Sequence, residues 1–226
     1  METSVVTWIL IAISFTTYFT INTVYKRLGV NTLRTALLAT NGLRFLNLKH
    51  LLGIILFGVI FYVIFPEYRG LVEVIEIPRL HILIPFIVIL LLGAYLSRVS
   101  FKKENFGCTN INDYSTVGVW TYLTLRFAFL LCFEFFFRGI LLFKILEFER
   151  PIFAIISSTF LYVLVYVFDA QKKFFRAISS GILLCVFSYL TKSIWYPYLI
   201  HLTFSAVYEI SMFYDLSFKK STCDSK

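Results

Sequence analysis

The run VGVWTYLTLRFAFLLCFEFFFRGILLFKIL, residues 117–146, decides the fold. It is dominated by Phe and Leu, yet it holds Arg126, Glu134, Arg138 and Lys144. A helix of about 20 apolar residues crosses a bilayer. This run is longer, so as a helix it must tilt, kink near Gly139 or project beyond the lipid. It lacks the ten-residue alternating segments of a transmembrane β-barrel.

The rest of the chain has the same character. Hydrophobic residues make up 59% of the 226 positions and charged residues 15%, and Phe alone occurs 26 times. Soluble domains are about half apolar and a quarter charged. With a mean hydropathy of +0.81, the expected class is an all-α, polytopic helical membrane protein with about seven spans (six to eight). The segments are roughly 5–24, 51–65, 80–97, 117–146, 151–168, 176–191 and 194–214. The second is short enough to re-enter. Residues 25–50 are basic and moderately apolar, which fits an amphipathic helix on the inner leaflet or a plain connecting loop. No soluble domain fits between the spans. One membrane domain is expected, with N-terminal helices and loops over 1–116, a core over 117–214 and a short cytoplasmic tail over 215–226. The start METSVV lacks the basic region of a signal peptide, so the first span is expected to be retained.

The net charge of +8 belongs to the loops and sets orientation; it does not imply a nucleic-acid partner. With the N-terminus outside, fourteen basic residues fall on inside segments and five on outside ones, Arg126 and Arg138 remaining within the fourth span. That asymmetry places the C-terminus in the cytoplasm of a cell membrane. The Phe, Ile and Lys bias suggests a bacterial source. Cys108, Cys132, Cys185 and Cys223 show no CxxC spacing and read as packing residues or free thiols.

Ionisable residues inside a membrane are costly and mark function or an obligatory partner. Glu134 and Arg138 stand at i,i+4, on one helical face, with Glu first, the better order for a pair. Arg126 lies near the same face. His201, Ser205 and Glu209 form a second stripe, one turn inside a Trp195–Tyr196–Tyr198 interfacial belt. Glu134–Arg138 can be a clamp or a reactive pair. His201 can handle protons or simply bond a neighbouring helix. Ser205, Glu209 and Arg126 are candidates for lining a cavity or meeting a partner. His50 and His81, at span boundaries, read as solvated interfacial residues. HExxH, GxSxG and P-loop patterns are absent, and no metal or cofactor is expected.

Together these segments resemble the CPBP family of CAAX-prenyl-protease and bacteriocin-processing membrane proteins, also called Abi. Phe133-Glu134-Phe-Phe-Phe-Arg138-Gly139 follows the family's EExxxR motif except at its first Glu. Ser193-Ile-Trp195-Tyr-Pro197-Tyr-Leu-Ile-His201 follows its last motif, with Ser205 in the Asn position. Phe160-Leu-Tyr-Val-Leu164 follows its FxxxH motif, with Leu164 where His would stand. The resemblance implies that Glu134 and Arg138 are the supporting pair and His201 the second catalytic His. It also implies that Phe133 and Leu164 replace the base and the first His. Phe and Leu cannot carry a proton. The expectation is therefore a pseudoprotease: a scaffold, regulatory or peptide-immunity protein that binds membrane lipid and a membrane-protein or peptide partner. One alternative is an active intramembrane endopeptidase using Glu134 and His201. The other is a small transporter or channel component.

Overall fold

The computed structural model describes residues 2–75, 77–103, 116–166 and 171–223. The described residues are helical or in turns, with no strands. Most of the polar loop 98–116 and the last residues of the tail lie outside them.

The chain forms α1 (Glu2–Arg27), the short α2 (Leu33–Leu38), α3 (Gly42–Ile64), α4 (Leu80–Lys103), α5 (116–146), α6 (Pro151–Leu164), α7 (Gln171–Thr191) and α8 (Trp195–Cys223). Between α3 and α4 a helical turn, 66–73, folds back against the bundle. By length and composition α1, α3 and α4 can cross a membrane; α6 and the apolar part of α7, Phe175–Thr191, are shorter. The outer face of α4 displays Leu80, Ile84, Val88, Leu91 and Tyr95 to its surroundings. Apolar exposure on that scale belongs in lipid, not in water.

Two boundaries differ from the hydropathy reading. The second span is not the short 51–65 but begins at Gly42. Segment 25–50 is therefore neither one surface helix nor a loop. Thr32 caps α2 through its Thr35 capping box, Asn41 turns the chain with a positive φ of 57°, and α3 starts at once. Lys49 and His50 consequently lie within α3, and both are buried. The reading of His50 as a solvated boundary residue is overturned: its ring stacks 5.3 Å from Phe129 and sits 5.6 Å from Tyr122. His81 is exposed.

The long run 117–146 is one continuous helix, and its irregularity falls at Gly139. It is α-helical over Thr116–Glu134, π-helical over Phe135–Leu141, and α-helical again over Leu142–Leu146. A second π segment, Ile55–Val59, lies in α3. The two π segments pack on each other around aromatic rings. Phe57 lies 4.4 Å from Phe136 and 5.8 Å from Phe137. Phe135, Phe136 and Phe137 are all buried although they point in different directions, because the π stretch of α5 is enclosed on every side. At Gly58 a β-carbon would collide with Cys132 Sγ. Glycine thus sets how closely α3 approaches α5.

Candidate functional site

The site starts at the α-to-π junction of α5. Glu134, the last residue before the π segment, is fully buried. Its Oε2 lies 3.2 Å from Arg138 Nε, one turn on, and its Oε1 lies 2.6 Å from His201 Nδ1 on α8. One carboxylate thus joins the i,i+4 pair to the histidine stripe. Arg138 is also fully buried, and its Cζ stands 4.1 Å from the centre of the Tyr162 ring of α6. An aromatic face and a carboxylate together offset part of the cost of burying the guanidinium.

The backbone of the π turn needs its own partners, because its carbonyls leave the α ladder. Ser158 Oγ of α6 donates to Phe137 O at 2.7 Å, and Ser188 Oγ of α7 donates to Arg138 O at 2.8 Å. Both serines are fully buried. The backbone amide of Ile194 and the indole of Trp195 donate to Leu71 O and Val72 O, at 3.2 and 2.7 Å. Turn 66–73 thereby closes this end of the bundle beside Gly139, where an added β-carbon would come within 3.5 Å of Leu71.

Phe133 packs into an aromatic cluster beside Glu134. It is 2% exposed and meets Phe57, Phe129, Phe137 and Tyr162 at 4.7–5.8 Å, with His201 at 6.4 Å. Leu164 ends α6 and is partly buried.

Arg126 is not part of the Glu134 cluster, although it shares that helix. It turns to α8, where Nε donates to Glu209 Oε1 at 3.0 Å and Nη2 to Ser205 Oγ at 3.2 Å. Ser205 Oγ in turn donates to the same Glu209 oxygen at 2.8 Å. The α8 stripe therefore divides: His201 is held by Glu134, while Ser205 and Glu209 are held by Arg126.

Both halves face one cavity of about 750 Å³, whose lining includes Phe133, His201, Arg126 and Glu209. It also includes His50, which the sequence reading left at a solvated boundary, and three residues it did not single out: Lys49, Asn22 and Asn31. Lys49 Nζ donates to Asn22 Oδ1 at 2.7 Å and also to Asn31 Oδ1. Asn22 Nδ2 donates to Val165 O at 3.1 Å, so α1, α3 and the end of α6 meet at this ammonium. A lysine within an apolar helix was the only available signal.

Chemically, Glu134 has both oxygens engaged and is shielded from water, so it serves as an anchor. His201 is the more accessible member, its side chain 17% exposed. Among the described residues no three His, Cys, Asp or Glu side chains gather as a metal site. Cys132 and Cys185 are free thiols.

Residues 115–207 match the family model described as Rce1-like, type II CAAX prenyl endopeptidase Rce1-like. The family resemblance read from the three motifs holds over that segment. No curated protein and no solved structure matches the chain.

Proposed function

We propose that this chain, built around a Rce1-like segment at 115–207, is a non-proteolytic membrane scaffold that receives a peptide or membrane-protein partner. One observation carries the reading. Phe133, at the place of the family's catalytic base, packs among aromatic rings beside the cavity, while the neighbouring Glu134 is held by both Arg138 and His201. A base must reach the water it activates. Phe133 has no proton-accepting group, and Glu134 is fully buried. The finer features belong to the same proposal: about seven spans, an N-terminus outside and a cytoplasmic C-terminus in a bacterial membrane, and a core over 117–214.

Reconstituted wild-type protein should leave a panel of fluorogenic CAAX and leader-type peptides uncut. Cleavage by wild type that His201→Ala abolishes overturns the reading. Phe133→Glu with Leu164→His restores the missing side chains, and low turnover in that variant alone supports it.

A second reading, an active endopeptidase, draws on the 2.6 Å contact between Glu134 and His201 Nδ1. A histidine oriented by a carboxylate is a competent proton carrier. On this reading Glu134→Gln abolishes turnover in folded protein; on the scaffold reading it lowers assembly instead.

A further inference from the structure

The charged side chains that line the cavity are all engaged within the protein. Arg126 and Glu209 pair with each other, Asn22 and Asn31 hold Lys49, and Glu134 holds His201. Arg34 and Arg176 have partners of their own. Among the described residues, none of these charges is left over for an ionic guest. Size sets a second limit. An α-helix with its side chains is about 10–12 Å across, so a volume of about 750 Å³ holds fewer than two turns of one. The cavity suits a single narrow chain, not a helix of another protein.

Two polar groups in the lining keep hydrogen-bonding capacity. Arg126 gives Nε to Glu209 and Nη2 to Ser205, which leaves further N–H groups of its five-donor fork. Its side chain is 22% exposed. His50 Nδ1 has no hydrogen-bond partner, a cost that a guest's hydroxyl would relieve. The two residues meet the same ring: Phe129 lies 5.3 Å from the imidazole of His50 and 5.8 Å from Arg126 Cζ. From Phe129 the apolar wall continues through Phe133, at 5.5 Å, with Leu130 and Phe204 also in the lining. Ser97 of α4 donates to Phe204 O at 2.8 Å, which fixes α8 against α4 at this wall. The cavity lies toward the end of the bundle where α1 and α4 finish and α3 begins. The opposite end is closed by turn 66–73.

We infer that this cavity binds an uncharged lipid with a hydroxyl-bearing head, of the monoacylglycerol class. The glycerol head meets Arg126 and His50, and the acyl chain runs along Phe129, Phe133, Leu130 and Phe204. A hydroxyl both accepts, as a guanidinium requires, and donates, as an unprotonated imidazole nitrogen requires. A head with more than one hydroxyl serves two groups set around one ring. A phosphate or carboxylate would bring a charge with no spare counter-ion to meet it, and desolvating it in this recess is costly. Apolar and aromatic walls with a few placed polar groups are the usual make-up of a small-molecule site. The inference goes beyond the scaffold reading and stands whether or not His201 turns over a peptide.

The test uses the full chain in phosphatidylcholine nanodiscs doped, at equal mole fraction, with 1-monooleoylglycerol, methyl oleate or oleoyl lysophosphatidic acid. The expected result is a rise of several degrees in unfolding temperature with monooleoylglycerol alone, and one copy of it retained in native mass spectrometry. His50→Phe keeps an aromatic ring against Phe129 and removes a buried nitrogen that has no partner. Without added lipid its unfolding temperature should hold or rise, while the gain with monooleoylglycerol is lost. Leu96→Trp narrows the cavity at an exposed position and should lose the gain as well. Ile84→Trp, on the outer face of the same helix and outside the lining, should keep it. An equal rise with methyl oleate reduces the site to apolar contact. An equal or larger rise with lysophosphatidic acid makes the guest an anion. A rise with an end-capped apolar tetrapeptide but not with monooleoylglycerol makes it a peptide. Each of these overturns the inference, as does the absence of any rise with monooleoylglycerol or a gain that survives His50→Phe.

Discussion

Glu134 is the residue on which the site turns. It touches Arg138 on its own helix and His201, 67 positions away in sequence. Removing one member of a buried ion pair strands the other, at a cost of about 3–5 kcal/mol, whereas replacing both by apolar residues is close to neutral. Arg138→Met and Glu134→Leu should therefore each reduce the yield of monodisperse protein and its unfolding temperature. The double variant should recover much of the loss, as a double-mutant cycle in detergent would measure. The pair was legible in the sequence because i,i+4 spacing puts two side chains on one face. The histidine contact was not, since hydropathy says nothing about which helix faces which. For the same reason Arg126, read beside Glu134, in fact meets Ser205 and Glu209. Lys49 was counted among loop cations because the start of α3 is too polar to register as a span.

At the scale of the helix, the distinguishing elements are the π segments in α3 and α5. Hydropathy detected the excess length of 117–146 and the weak point at Gly139, but no residue pattern announces an i→i+5 turn. The serines that accompany it are equally silent in sequence, because a hydroxyl in an apolar helix usually bonds its own backbone. Ser158→Ala and Ser188→Ala should each destabilise the protein by about 0.6 kcal/mol and at most about 1.7 kcal/mol, the range measured for hydrogen bonds between membrane helices. Hydrogen exchange at the backbone amides of 139–142 should rise in both variants. Gly58 tests the contact between the two π segments. Gly58→Val must displace Cys132, and overpacking of this kind costs about 1–3 kcal/mol. Gly58→Val with Cys132→Ala opens space on the α5 side and should recover part of that loss in thermal unfolding.

Across the whole molecule, the larger share of the basic residues falls toward the end of the bundle that carries the cavity. On the proposed topology, which rests on the positive-inside rule, that end faces the cytoplasm. Single cysteines at Glu2 and Lys102, in a background lacking the four native ones, check the orientation. A membrane-impermeant maleimide should label Glu2→Cys in intact cells and Lys102→Cys only after permeabilisation. The closed end adds a mechanical asymmetry. Helix α8 is tied at its first turn by the bonds from Ile194 and Trp195 to Leu71 and Val72. A rod held at one end pivots there. At 1.5 Å of rise per residue, His201 lies about 9 Å from Trp195 and Glu209 about 21 Å. Any swing of α8 therefore displaces Glu209 more than twice as far as His201. Filling the cavity would disturb the Arg126–Glu209 contact more than the Glu134–His201 contact, which moves less than half as far.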